Sequence, residues 1–158
     1  MTLPKTPSQT VGPYFTIGLP PRAANELVAS GTTLHGRLLD GNGDPLPDGM
    51  LEVWDRTTRL WGRCGTDGDG GFTFTIAKPE GRDGDAPRLD VYVFARGLLR
   101  HQLTRIYFPD EPEANAADPV LAALTADQRA TLVAVPDDGG LRHDIRLQGG
   151  DQTVFFVH

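Results

Sequence analysis

What most constrains this chain is a period of two. From residue 33 onward, apolar and polar side chains alternate in short runs: TLHGRLLD (33–40), MLEVW (50–54), GFTFTIA (71–77), RLDVYVFAR (88–96) and QLTRIYF (102–108), then LRHDIRLQ (141–148) and TVFFV (153–157). The runs are rich in β-branched and aromatic residues and are bounded by turn residues, so each reads as a strand. DGNGDPLPDG (40–49) and TDGDG (66–70) are Gly/Asp/Pro stretches that permit positive φ and tight reversals. One helical pattern interrupts the series: PVLAALTADQRATL (119–132), part of a helical excursion near 116–132, with Thr125 as the N-cap of its second turn. Seven strands with one helical excursion predict an all-β fold, a β-sandwich.

The residues before the first strand follow different rules. TPSQTVGPYF (6–15) holds two prolines, a glycine and small polar side chains ahead of Tyr14 and Phe15. It cannot nucleate a helix and has no strand beside it, so residues 1–19 read as an arm. Residues 18–32 read as a loop with at most one helical turn. A chain of 158 residues is long enough for a buried core and is expected to form one domain, 1–158.

The net charge is −6, and no basic run occurs anywhere, which argues against nucleic acid and anionic membrane as partners. The N-terminus has no apolar signal-like core and no apolar run approaches membrane-spanning length, so a cytoplasmic location is expected. Cys64 is the sole cysteine, which excludes an internal disulfide and a thiolate metal cluster.

Most catalytic signatures are missing. Ser8 and Ser30 are the only serines, both in irregular segments and neither in a G-x-S-x-G elbow. No phosphate-cradling loop and no G-x-G-x-x-G after a strand is present. Asp40, Asn42 and Asp44 have calcium-loop spacing, but Pro45 and Leu51 stand where glycine and glutamate are needed. Asp67 and Asp69 begin a similar pattern that no glutamate completes. Turn chemistry accounts for both. His35, His101, His143 and His158 form no H-x-H or H-x-x-x-H pair, so the sequence offers no metal site of its own.

The run Arg88–Arg96 is more informative. Alternation puts Leu89, Val91, Val93 and Ala95 on a core face and Arg88, Asp90, Tyr92, Phe94 and Arg96 on the other. That second face reads either as a solvated surface or as one where Arg96, directly before Gly97, meets an anion.

The arm TPSQTVGPYFTIGL (6–19) resembles the N-terminal signature of intradiol ring-cleavage α subunits, those of the protocatechuate 3,4-dioxygenases. DGNG (40–43), LEVW (51–54), FARG (94–97), TRIYFPDE (104–111) and DIRLQGGDQTVFF (144–156) follow in the family's order, spanning nearly the whole chain. The resemblance implies a mixed β-sandwich. It also implies a homologous β subunit as partner, in αβ protomers of a higher oligomer, and protocatechuate and O2 as substrates. Catalytic β subunits of the family hold a non-haem Fe(III) with two tyrosines and two histidines, a donor set suited to a hard cation. The histidines form an H-x-H pair on a strand that here follows Ala86-Pro87 and reads Arg88-Leu89-Asp90. Tyr14, Tyr92 and Tyr107 are the only tyrosines, and none lies in 55–70 or 78–87, where the family's ligands fall; both segments look shortened.

The resemblance therefore implies a subunit that binds no metal itself, the Fe(III) being held by its partner. Thr10, Gly12, Pro13 and Tyr14 would line the substrate pocket above that iron, and Arg96 would give the substrate carboxylate a positive environment. No catalytic residue is expected in this chain. Two other readings stay open: a stand-alone binding module on the same sandwich, and an independent enzyme whose metal site draws on His101, Tyr107 and Asp110.

Overall fold

Alternation in the first run turns Leu34 and Leu38 to one side, where neither has measurable solvent exposure. That run is β1 (Thr32–Leu39) of a computed structural model that describes residues 3–10, 12, 14 and 17–157. Along the chain follow β2 (Met50–Trp54), β3 (Trp61–Gly65), β4 (Gly71–Ile76), β5 (Arg88–Phe94) and β6 (Gln102–Tyr107). Three short helices come next, α1 (Pro112–Ala117), α2 (Pro119–Ala122) and α3 (Ala126–Ala130), and then β7 (Val135–Asp137), β8 (Gly140–Arg142) and β9 (Ile145–Arg146).

The strands form two sheets. One has the order β4-β1-β8-β7, with β9 also on β1; β8 and β9 run parallel to β1 and the other pairs are antiparallel. The other, β3-β2-β5-β6, is antiparallel throughout. The fold is the mixed all-β sandwich expected from the sequence. Its core interleaves Leu34, Leu38, Phe72, Phe74 and Ile76 of the first sheet with Leu51, Val53, Leu89, Val91, Val93 and Ile106 of the second. Each such side chain contributes about 1.5–3 kcal/mol through burial.

Irregular segments cover the sheet edges at β3, β4 and β6. Ala24–Leu27 bridges both sheets on one side: Arg63 N donates to Ala24 O, Thr75 N to Asn25 O and Leu27 N to Thr75 O. Along β6, Tyr107 N donates to Leu132 O, Ala134 N to Tyr107 O, and Phe156 N to Leu103 O. The Thr104 hydroxyl, pointing inward, donates to Val154 O at 2.8 Å. An edge strand left bare invites pairing with another chain, and these contacts remove that hazard.

Several elements differ from the sequence expectation. β3 was hidden because WGRCG carries two glycines and weak alternation; it forms because Asp55 shapes the hairpin, accepting from Thr57 N and Thr58 N. β7 (VPD) contains a proline that only an edge strand tolerates. The run 141–148 is broken at His143–Asp144 into β8 and β9, and the expected strand 153–157 makes a single bridge, Phe156 to Leu103. The helical excursion is three pieces and begins earlier, at Pro112, because Pro119 cannot continue α1 and starts α2 instead. Thr125 does cap α3, in a capping box with Gln128. The two acidic loops are turns: Asp40 Oδ1 accepts from Asn42 N and Asp44 N, and Asp67 Oδ1 from Asp69 N and Gly71 N.

The break at His143 follows from close approach. A Cβ on Gly36 would sit 1.9 Å from the His143 carbonyl oxygen, so β1 accepts this crossing strand only at a glycine. His143 N donates to His35 O, and its side chain is buried with Nε2 making no hydrogen bond. Burial lowers its pKa to about 4, against a smaller upward pull from Asp144. The unfolded chain therefore takes up this proton first as pH falls. Stability should drop by about 3 kcal/mol between the ordinary histidine pKa and about pH 4, then level off. Urea unfolding across that range should show the slope, and His143→Leu should remove this component of it.

Candidate functional site

The outer face of the second sheet is where the sequence left two readings. Alternation places Arg88, Asp90, Tyr92 and Phe94 on it, and the register sets Arg88 opposite Tyr107, Asp90 opposite Arg105 and Tyr92 opposite Leu103. It is not a solvated face. Arg88 is buried, and Asp90, Tyr92 and Phe94 are half-buried. The helical segment covers one end through Leu121 and Leu132, which pack with Tyr107 and Ala86. Phe156 covers Arg105, whose guanidinium lies 4.5 Å from the ring centre.

Beneath this cover is an ionic centre. Arg88 Nη1 donates to Asp85 Oδ2 at 2.6 Å, and its Nε lies 3.5 Å from Asp90 Oδ1. Arg105 Nε approaches the same oxygen at 3.5 Å, and Arg56 Nε lies 3.9 Å from Asp90 Oδ2. The approaches to Asp90 Oδ1 are ion-pair contacts without hydrogen-bond geometry: Arg88 Nε, Arg105 Nε and Asp90 Oδ1 remain without a hydrogen-bond partner. Burial alone would lower the Arg88 pKa, but the Asp85 bond and neighbouring negative charges outweigh it, and the net shift is upward.

Asp118 extends the centre. Fully buried, it accepts from Val120 N and Leu121 N as the cap of α2, from Ala86 N at 2.9 Å, and from the Tyr107 hydroxyl at 3.3 Å. Burial raises the Tyr107 pKa, with Arg105 opposing and Asp118 reinforcing, so the phenol stays protonated.

These residues do not fit a ferric ion. A guanidinium that cannot lose its proton fills the middle of the cluster, and Tyr107 keeps its proton in a hydrogen bond to Asp118 in place of offering a phenolate. Nor do His101, Tyr107 and Asp110 assemble. His101 stacks against Tyr92 and Phe94 with ring centres 5.4 and 5.5 Å away, Tyr107 meets Asp118, and Asp110 pairs with Lys78 at 2.8 Å. Among the described residues, no group of three His, Cys, Asp or Glu side chains is placed to hold a metal.

The other expected site residues lie elsewhere. Thr10 Oγ1 accepts from Gly12 N at 3.2 Å, Gly12 has a φ of +72° that favours glycine, and Tyr14 is exposed. Pro13 lies outside the described residues. Arg96 follows the end of β5 instead of continuing it; it is exposed, with Nε 3.3 Å from Asp48 Oδ2. No hydrogen bond or ion pair joins Thr10, Gly12 or Tyr14 to Arg96 among the described residues. Arm and β5 do meet at a groove of about 600 Å³, whose lining includes Gln9, Phe94, Arg100, His101 and Phe156. Sequence reading missed Asp48, Arg100 and the Arg105–Asp90 pair, because strand register and loop direction bring them into place.

Comparison with known proteins agrees with this architecture. The dioxygenase domain of a dioxygenase carbohydrate-binding protein fusion from Streptomyces sp. SirexAA-E superposes with a TM-score of 0.60 at 26% identity, over 89% of this chain and 95% of that one. Hydroxyquinol 1,2-dioxygenase from Pseudomonas putida DLL-E4 gives 0.62 at 18% identity over 89% of this chain and 65% of its own, a likeness of fold. The sandwich is thus that of an intradiol dioxygenase. The protocatechuate 3,4-dioxygenase alpha chain of Burkholderia cepacia is 39% identical over 98% of both chains, and that of Pseudomonas putida 37% identical over 98% of this chain and 96% of its own. The chain belongs to the family of protocatechuate 3,4-dioxygenase alpha chains, and is an intradiol dioxygenase subunit. No protein-family model matches it. The alignment with the B. cepacia chain runs over 193 positions, more than this chain's 158 residues, so the relative carries insertions that this chain lacks.

Removing the guanidinium should leave the half-buried Asp85 carboxylate without its cation and weaken the pairing around Asp90. Arg88→Ala is expected to cost about 3–5 kcal/mol in urea unfolding, and Arg88→Ala combined with Asp85→Ala should recover part of that loss.

Proposed function

We propose that this chain is the subunit without iron in a protocatechuate 3,4-dioxygenase, and that it completes the substrate pocket of a homologous β subunit that holds the Fe(III). The reaction is cleavage of protocatechuate by O2 between its two hydroxyl-bearing carbons, both oxygen atoms entering the product, 3-carboxy-cis,cis-muconate. The observation that carries this reading is the ionic centre at Arg88 and Asp90. The family resemblance puts iron-binding histidines at those two positions in catalytic chains, and here a guanidinium paired with Asp85 stands in one of them.

The chain's own part is positioning. Thr10, Gly12, Pro13 and Tyr14 form a wall for the flat ring. Gly12 permits close backbone approach, and Pro13 limits the arm's freedom. Arg96 contributes positive potential for the substrate carboxylate. Its pairing with Asp48 is half-exposed and therefore weak, and it leaves guanidinium donors free to turn toward an anion. Holding the ring and its carboxylate in a reactive orientation lowers the entropic part of the barrier.

Purification of the tagged chain from its source cells should bring down a second chain in equal amount, with iron and the red-brown colour of a ferric phenolate. In that complex Arg96→Leu should raise the KM for protocatechuate about tenfold and leave iron content unchanged, a loss of about 1.4 kcal/mol. A colourless single species without iron would overturn the proposal in favour of a stand-alone binding module.

A further inference from the structure

The arm joins the sandwich beside β3, and one residue there grips both ends of the turn that connects them. Arg63 stands opposite Glu52 across the β2–β3 pair; its Nε donates to Glu52 Oε1 at 2.9 Å, and its Nη2 donates to the same oxygen. The guanidinium also lies over the Trp61 ring, 4.9 Å from its centre. An edge on a carboxylate and a face on an indole fix its direction. Nη1 is thereby carried to Leu19 O, to which it donates at 2.8 Å. The backbone N of the same residue donates to Ala24 O at 2.7 Å. Gly62 shapes the seat for that second contact, since a Cβ there would meet Ala24 O at 2.9 Å and Leu27 Cδ1 at 2.3 Å.

Residues 20–23, between the two contacts, are stiff. The rings of Pro20 and Pro21 fix their φ, and Ala23 has a φ of +56°, which a residue with a side chain seldom adopts unless its surroundings hold it. A stiff turn held at one end pivots. Held at both, it sets the direction in which the chain departs. Lysine at this position would keep a charge opposite Glu52, but it has no planar fork to serve a carboxylate and a carbonyl together. We propose that Arg63 is a positioning residue: through Leu19 O and Ala24 O it fixes the root of the arm, and with it the place of the ring-facing wall. This rests on the reading above, which gives the arm its part in the pocket. Arg63 acts only through the arm.

Trypsin tests the anchoring, because Arg22 is exposed and the Arg22–Ala23 bond lies inside the turn. In the full-length chain, Arg63→Lys should be cut after Arg22 about tenfold faster relative to the other tryptic sites, and Arg63→Met as fast. Cleavage of Arg63→Lys at the parent's rate overturns the proposal, since a charge opposite Glu52 would then suffice. So does equal acceleration at every tryptic site, which is general loosening. In the assembled complex, Arg63→Lys should raise the KM for protocatechuate about fivefold, with kcat and iron content within about twofold of the parent. An unchanged KM overturns the positioning role, whether or not iron and kcat fall with it. Should the parent complex fail to turn over protocatechuate, the subunit reading falls instead, and cleavage after Arg22 alone decides whether Arg63 anchors the arm.

Discussion

A guanidinium removed from water has to be met by negative charge, and the outer face of the second sheet is organised around that requirement. The Arg88 side chain is 6% exposed. Its charge is answered by Asp85 from the preceding loop and Asp90 two residues along the same strand. Asp90 in turn draws in Arg105 from β6. Asp118 ties the helical segment to the same place through Ala86 N and Tyr107. One buried cation thus fixes a loop and two strands, and a buried carboxylate beside it docks the helices.

Under the function proposed above, this arrangement lets one sandwich serve two roles. A metal centre gathers donor atoms from separate elements around a positive charge, and so does Arg88, with hydrogen bonds and ion pairs in place of coordination. In this cluster the guanidinium itself ties the loop and the two strands together. On the proposed reading its loops need not reach in to supply ligands, which is consistent with the positions that this chain lacks against the B. cepacia relative. On that reading, what it offers chemically lies at its periphery, at the arm and at the turn after β5. There Arg96 and Arg100 stand within four residues of each other in different surroundings, one beside Asp48 and one against apolar walls.

Much of this was legible in the residues. The alternation of Leu89, Val91, Val93 and Ala95 named a core face that is buried throughout, and Thr125 is the N-cap its residue type suggested. Local chemistry sufficed there, because side-chain period and cap bonds depend on neighbours a few positions away. WGRCG gave no comparable sign of being β3, since its pairing with β2 supplies what its own glycines lack. The run at 141–148 looked continuous, but Gly36 on β1 lets His143 press so close that the strand breaks in two. The segment 153–157 has strand composition and lies along β6, yet one bridge is all it makes.

The sequence by itself determined the sandwich, the tight turns at Asp40 and Asp67, and the two charged residues on the outer face of β5, because period, turn preference and charge are properties of the chain. Only the tertiary structure decided what those charges do. Whether Arg88 meets water or carboxylate, and which of Arg96 and Arg100 lines the groove beside the arm, depends on strand register and loop direction. Those are set by packing between residues far apart in sequence, where the chain's local pattern carries no information.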